Sequence, residues 1–213
     1  MRIAPLFLGL LLTIPTSNPA AAILADAGPP LRLNEFMAGP ARDWDGSGTF
    51  SSRDDEWVEI VNAGVTSVPL AAFVITDGDS IPRFALSGTL APGEHRLVTG
   101  KQSFDWEKAS GFPAFGLSLS NSGDAVVLWE VVGADTVLVD AYTYTSHEAA
   151  ADRSVGRSPD ASGAWVIFDA LDPYTGATPP KGNGCLPTPG NVNACDTTPV
   201  RRTSWGSLKA LYR

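Results

Sequence analysis

The chain is poor in the residues that usually build metal centres and nucleophilic active sites. It has two cysteines and two histidines in 213 residues. A zinc site would want more Cys or His beside Cys185 and Cys195 than the sequence offers. His95 and His147 belong to no readable nucleophile motif, and no G-x-S-x-G occurs. Ser146, His147 and Glu148 are neighbours in sequence, which does not orient them as a triad. No Gly-rich phosphate loop follows a strand and opens a helix. Basic residues are also scarce. Fifteen Lys and Arg stand against 23 Asp and Glu, a formal net charge of −8. That balance argues against duplex nucleic acid, because binding phosphates needs a basic face.

Long apolar runs are lacking beyond the start of the sequence. Arg2 followed by LFLGLLLTI (6–14) has the form of a charged n-region and an h-region too short to span a bilayer. Small residues at Ala20, Ala21 and Ala22 suit cleavage after Ala22, with Ala27 as a later option. The expectation is therefore a signal peptide over residues 1–22 and an exported protein without a transmembrane span; the alternative is a buried N-terminal strand or helix. Two cysteines ten residues apart agree with export, since in an oxidising compartment Cys185 and Cys195 would pair. Two free thiols are the alternative.

Helical periodicity is scarce too, and what fills the middle of the chain is short strand-like runs. LRLNEF (31–36) and EWVEIVN (56–62) alternate, residues 68–76 form a longer apolar run, and 84–88, 95–100, 124–131, 136–144 and 164–168 follow. Asn62-Ala63-Gly64, Asp77-Gly78-Asp79, Ala91-Pro92-Gly93 and Asn121-Ser122-Gly123 supply turn chemistry between them. Such spacing predicts a β-sandwich or barrel. FDWEKA (104–109) suits one or two helical turns. From Asp169 the pattern dissolves into Pro, Gly, Asn and Thr, read as a closing segment held by the cysteine pair.

Several motifs, in order along the chain, resemble the lamin tail domain family in its bacterial secreted form. They are Asn34-Glu35, DEWVEIVN (55–62), Val68 and Leu70 with Ile75-Thr76-Asp77, LAPGE (90–94) and LSNSGD (119–124) with Val126 and Leu128. Val139-Asp140 with Tyr144, Val155-Gly156-Arg157 with Pro159-Asp160 and Trp165, and Thr188-Pro189-Gly190 closed by Asn193 complete the series. The resemblance implies an all-β, immunoglobulin-like antiparallel β-sandwich over residues 31–193, acting as an interaction or structural module without enzymatic activity. The chain lacks a heptad rod, a basic nuclear signal and a prenylation cysteine, so filament and nuclear roles are not carried over.

Two charged segments remain. DWDGSGTFSSRDDE (43–56) crowds four Asp and a Glu around Arg53. Aligned from Asp43 it approximates a calcium-loop pattern, with Asp43, Asp45, Ser47, the Thr49 carbonyl and Asp54 as candidate oxygen ligands. Flanking strands exclude a paired-helix EF-hand, and a solvated acidic loop is the competing reading. Residues 194–213 read as a linker and basic tail. Arg201, Arg202, Lys209 and Arg213 follow the last acid, Asp196, and Trp205, Leu208 and Tyr212 fall at helical spacing. That tail is either a frayed terminus or a segment that docks on a partner, a sorting component or an anionic surface, with Trp205, Leu208, Lys209 and Tyr212 making the contacts.

Three functions are compatible with these features. One is an exported non-catalytic module binding a protein or surface polymer. The second is a calcium-dependent adhesive or scaffolding module using loop 43–56. The third is an extracellular hydrolase or accessory domain, for which Glu35 and Glu59 would be a carboxylate pair of the glycosidase type; hydrogen bonding at a sandwich edge is the structural explanation for the same pair.

Overall fold

A computed structural model describes residues 30–195 of the chain. Among the described residues there are eleven strands and one helix: β1 (Leu31–Met37), β2 (Trp57–Asn62), β3 (Val68–Pro69), β4 (Phe73–Thr76), β5 (Pro82–Ala85), β6 (Thr89–Leu90), β7 (His95–Thr99), α1 (Gly100–Ser110), β8 (Gly123–Val132), β9 (Asp135–Thr145), β10 (Ser154–Ser158) and β11 (Ala164–Phe168). The long apolar run 68–76 is broken by a turn into β3 and β4. The expected signal peptide and the basic tail lie outside the described residues.

The strands form two principal layers. One sheet has the order β11-β10-β1-β2-β7 and the other β5-β4-β8-β9, with β3-β6 as a small ribbon. Every pairing between named strands is antiparallel. The fold class is an immunoglobulin-like antiparallel β-sandwich. Leu31, Leu33, Val58, Ile60, Val98 and Val155 of the first sheet share one core with Phe73, Ile75, Val126, Leu128 and Val139 of the second. Alternation on the pleat puts these residues on the facing sides. Phe36 packs on Tyr144 at 5.1 Å and Tyr142 on Trp165 at 4.4 Å between ring centroids, which joins the layers through aromatic contacts.

The helix starts earlier than its apolar residues suggest. Thr99 caps it, accepting from the Gln102 amide at 3.2 Å, while the Gln102 side chain accepts from the Thr99 amide at 3.1 Å. That Thr-x-x-Gln capping box fixes the first turn, and Gly111, at φ 79°, ends the helix in the left-handed conformation. The face turned to β5 is polar. Glu107, fully buried, takes a hydrogen bond from Arg83 at 3.2 Å and from the Phe115 and Gly116 amides at 2.6 and 2.7 Å. Arg83 also binds Asp77 through both Nε and Nη2, at 2.9 and 2.7 Å.

Candidate functional site

The densest cluster of polar side chains lies on the outer face of the first sheet, and it begins with a bulge. Leu33 pairs with Ile60 and Glu35 with Glu59, so β1 carries one extra residue at Asn34. The bulge resets the alternation: Leu31 and Leu33 point into the core, then Phe36 does, and both Asn34 and Glu35 are left facing outward. Glu35 thereby stands in a row with Gly156 of β10, Glu59 of β2 and Leu97 of β7.

Residues 188–193 lie over this row. Glu35 accepts from the Thr188 amide at 3.1 Å, from the Thr188 hydroxyl at 2.5 Å and from the Ser154 hydroxyl. Glu59 accepts from the Gly190 amide at 2.5 Å and from Asn34 Nδ2 at 2.7 Å. Asn193 donates to the carbonyls of Asn34 and Arg157 at 3.1 and 3.0 Å, and its amide donates to Asp160 at 2.8 Å. His95 Nε2 lies 3.2 Å from Asp160. A side chain at Gly156 would bring a Cβ to 2.8 Å from Asn193 Nδ2 and 2.9 Å from Glu35, so glycine is what lets the segment close down. The Cys185–Cys195 disulfide closes the loop that carries these contacts.

Burial sets the electrostatics. Loss of water raises Glu35 to about 7 and Glu59 to about 8; the hydrogen bonds each accepts pull the other way and are outweighed. Glu56, buried against the Leu119 amide, rises to about 8 for the same reason. Glu35 and Glu59 are 1% and 0% exposed, so neither presents an oxygen to a substrate in solution. The pair is hydrogen-bonded as the structural explanation expects, but on the face of the interior strands β1 and β2 and not at a sandwich edge, because the 188–193 segment brings backbone donors over that face.

The other signature polar residues are used in the same way. Asp140 of β9 accepts from the Leu33 amide at 3.0 Å, next to the bulge, and from Arg157 at 2.9 Å, while Arg157 Nε donates to the Leu33 carbonyl at 2.9 Å. This stitches the two sheets at one edge. Asn62 donates to the Thr66 and Leu90 carbonyls at 2.8 and 2.9 Å and accepts from the Gly64 amide at 2.9 Å. Sequence reading found these residues as motifs. What it missed was Ser154 and the purpose of Gly156, because neither belongs to an alternating apolar run.

The acidic loop is organised by Asp55, which the motif alignment had passed over. Buried Asp55 accepts from the amides of Trp44, Asp45 and Ser51 at 2.6, 2.9 and 2.7 Å. Asp43 accepts from the Ser47 and Gly48 amides at 3.1 and 2.6 Å, and Asp45 from Ser47 at 2.8 Å. The Thr49 carbonyl takes the Ser47 hydroxyl at 3.0 Å. Carboxylate oxygens of Asp43, Asp45 and Asp55 fall within 4.8 Å of one another. Asp54 faces Arg53 at 2.7 Å, and that hydrogen bond holds its carboxyl below the ordinary value. The geometry thus groups Asp43 and Asp45 with Asp55, and sets Asp54 apart in an ion pair.

The remaining candidates are dispersed. His147 Nδ1 meets Thr145 Oγ1 at 2.7 Å, whereas Glu148 takes Tyr142 OH at 2.6 Å and the Thr145 amide at 2.8 Å. Ser146, His147 and Glu148 therefore form no relay with one another. Trp205, Leu208, Lys209 and Tyr212 lie outside the described residues. No helix among the described residues is long and apolar enough to cross a membrane.

A sandwich whose signature polar residues fasten its own edges and loops defines an immunoglobulin-like module. The family described as Lamin Tail Domain matches the chain over residues 25–146, more than half of its length, and the chain belongs to that family. No curated protein and no solved structure matches it. The family is one of non-enzymatic immunoglobulin-like domains.

Proposed function

We propose that this protein is an exported, non-catalytic module that binds a protein or surface polymer at the cell surface or outside the cell. One observation carries the reading: Glu35, Glu59, Asp140, Arg157 and Asn193, the polar residues that could have built a reaction centre, are committed to the protein's own backbone and to one another. Work by such a domain falls to its surface. Export is supported by the charged and apolar opening of the sequence and by a disulfide, which persists in oxidising compartments. Residues 1–22 would be removed, and the basic tail beyond residue 193 would serve as a tether or address. Expression of the full chain with cell fractionation, followed by capture from the extracellular fraction, tests this. Retention of an uncleaved protein in the cytoplasm would overturn it, and an unchanged location after deletion of residues 199–213 would remove the tail's role.

A second reading, calcium-dependent adhesion, is favoured by the convergence of Asp43, Asp45 and Asp55. Hard oxygen ligands on a short loop suit Ca²⁺ at the weak affinities of extracellular modules, about 10⁻⁴–10⁻³ M. Titration calorimetry on the wild type and on the Asp43→Ala/Asp45→Ala variant decides it: no heat and no change in melting temperature at millimolar Ca²⁺ eliminates the ion.

A further inference from the structure

The two outer faces of the sandwich differ. That of the first sheet lies under the segment 188–193, whereas that of the second carries apolar side chains in the open. Val74, Trp129 and Leu138 stand side by side across β4, β8 and β9, with Val131 and Thr136 in the next row. Leu138 is 54% exposed and Val131 42%. Val74, Pro82, Trp129, Val131 and Thr136 line a groove of about 310 Å³. Its floor is pinned by Trp129 Nε1, which donates to Thr76 Oγ1 at 3.1 Å.

Charge around this groove has one sign. Residues 109–152 contain no Lys or Arg. Arg83, the one basic residue of β4, β5, β8 and β9, is buried against Asp77, Asp79 and Glu107. Asp79, whose side chain is 47% exposed, adjoins Ser80 at one end of the groove. An apolar groove in acidic surroundings fits a cationic segment bearing aromatic and aliphatic side chains. The chain itself contains one: Arg201, Arg202, Lys209 and Arg213 alternate with Trp205, Leu208 and Tyr212.

We propose that residues 201–213 dock in cis in this groove, with Trp205, Leu208 and Tyr212 covering the Val74–Trp129–Leu138 row and the basic residues meeting a face that, among the described residues, carries no free cation and has Asp79 at its end. The reach is sufficient. The described chain ends at Cys195, and the ten residues from there to Trp205 extend up to roughly 35 Å. Sheets stack about 10 Å apart, so that span carries the segment round the edge of the sandwich. Docking of this kind would set the free energy that an external partner of the tail has to exceed, and it holds wherever the protein resides.

Limited trypsin digestion of the full chain, read by mass spectrometry at Arg202 and Lys209, tests the proposal. The tail of the wild type should be cut roughly tenfold more slowly than that of Leu138→Lys or Val131→Lys, and salt at about 0.5 M should narrow the difference by screening the introduced charge. Both substituted residues are exposed, and an unchanged melting temperature confirms that the variants fold. Hydrogen exchange at the β8–β9 tip should speed up in Trp205→Ala/Leu208→Ala. Equal cleavage of the wild type and Leu138→Lys would overturn the proposal. Protection that rises with protein concentration would also overturn it, by assigning the tail to the groove of a second copy.

Discussion

Glu35 and Glu59 face each other across β1 and β2, and each is bound from above by a backbone amide of the same strap, Thr188 for one and Gly190 for the other. Two buried carboxyls thus fasten a segment more than 120 residues away in sequence, the separations being 153 and 131. Both side chains sit in register because the bulge at Asn34 turns Glu35 outward one residue out of phase.

The first prediction concerns pH. Glu35 is raised from 4.5 to about 7, and Glu59 and Glu56 from 4.5 to about 8. Between those values the folded chain holds protons that the unfolded chain has released. Stability therefore falls as pH rises from about 4.5 through 8. The contribution is fully present below 4.5 and lost above 8. A melting temperature several degrees lower at pH 8.5 than at pH 5 is expected by calorimetry.

Isosteric neutralisation should separate charge from shape. Glu59→Gln removes the titrating group but offers one acceptor oxygen where Glu59 accepts at both, from Asn34 Nδ2 and from the Gly190 amide, so it should be less stable than the wild type near pH 5, by about 1–2 kcal/mol, and close part of that gap in urea resistance near pH 8. Glu59→Ala instead strands Asn34 Nδ2 and the Gly190 amide, which donate to it at 2.7 and 2.5 Å. Its cost should be about 2–3 kcal/mol near pH 5 and smaller near pH 8, where the wild type has lost stability to the ionisation of Glu59, measured by urea unfolding.

Gly156→Ala should be among the most damaging single changes. The added methyl meets Asn193, Glu35 and the Phe168 ring, each at less than 3.0 Å. The neighbours are packed or hydrogen-bonded and cannot retreat without opening the strap. A loss of about 2–4 kcal/mol is expected, with faster hydrogen exchange in residues 188–193.

Reduction of the Cys185–Cys195 disulfide, or Cys195→Ser, should loosen the same strap without abolishing the sandwich. Closing a loop of ten residues constrains the unfolded chain by about 2–3 kcal/mol. Since the core of Leu33, Val58, Ile60 and Leu128 lies between the sheets, far-ultraviolet dichroism should persist while the melting temperature drops.

Arg83→Met should detach α1 rather than unfold the domain. Asp77 and Glu107, both buried, would lose the one guanidinium between them. Breaking a buried pair costs about 3–5 kcal/mol, and the effect should appear as early exchange of the amides in residues 100–116.

Much of the sandwich was legible because strand pairing follows local pattern. Alternation at 31–36 and 56–62, the turn residues between runs, and the family motifs mark strands of both sheets. The helix start was not legible, since the apolar residues of 104–109 mark the helix and the Thr99–Gln102 capping box that begins it lies earlier. β10 (Ser154–Ser158) was not, since a strand reading Ser-Val-Gly-Arg-Ser has one apolar residue to reveal it.

By itself the sequence determined the all-β class, the family and the identity of the polar residues that matter, since these depend on near-neighbour periodicity and on short motifs. Only the tertiary structure decided what those residues do. It set Asp55 rather than Asp54 beside Asp43 and Asp45, placed Glu35 and Glu59 under the 188–193 strap, and left the Val74–Trp129–Leu138 row uncovered by any other described segment. The reason is physical: which donor meets which acceptor across more than a hundred residues is fixed by register, bulge and layer packing, and no local pattern encodes those distances.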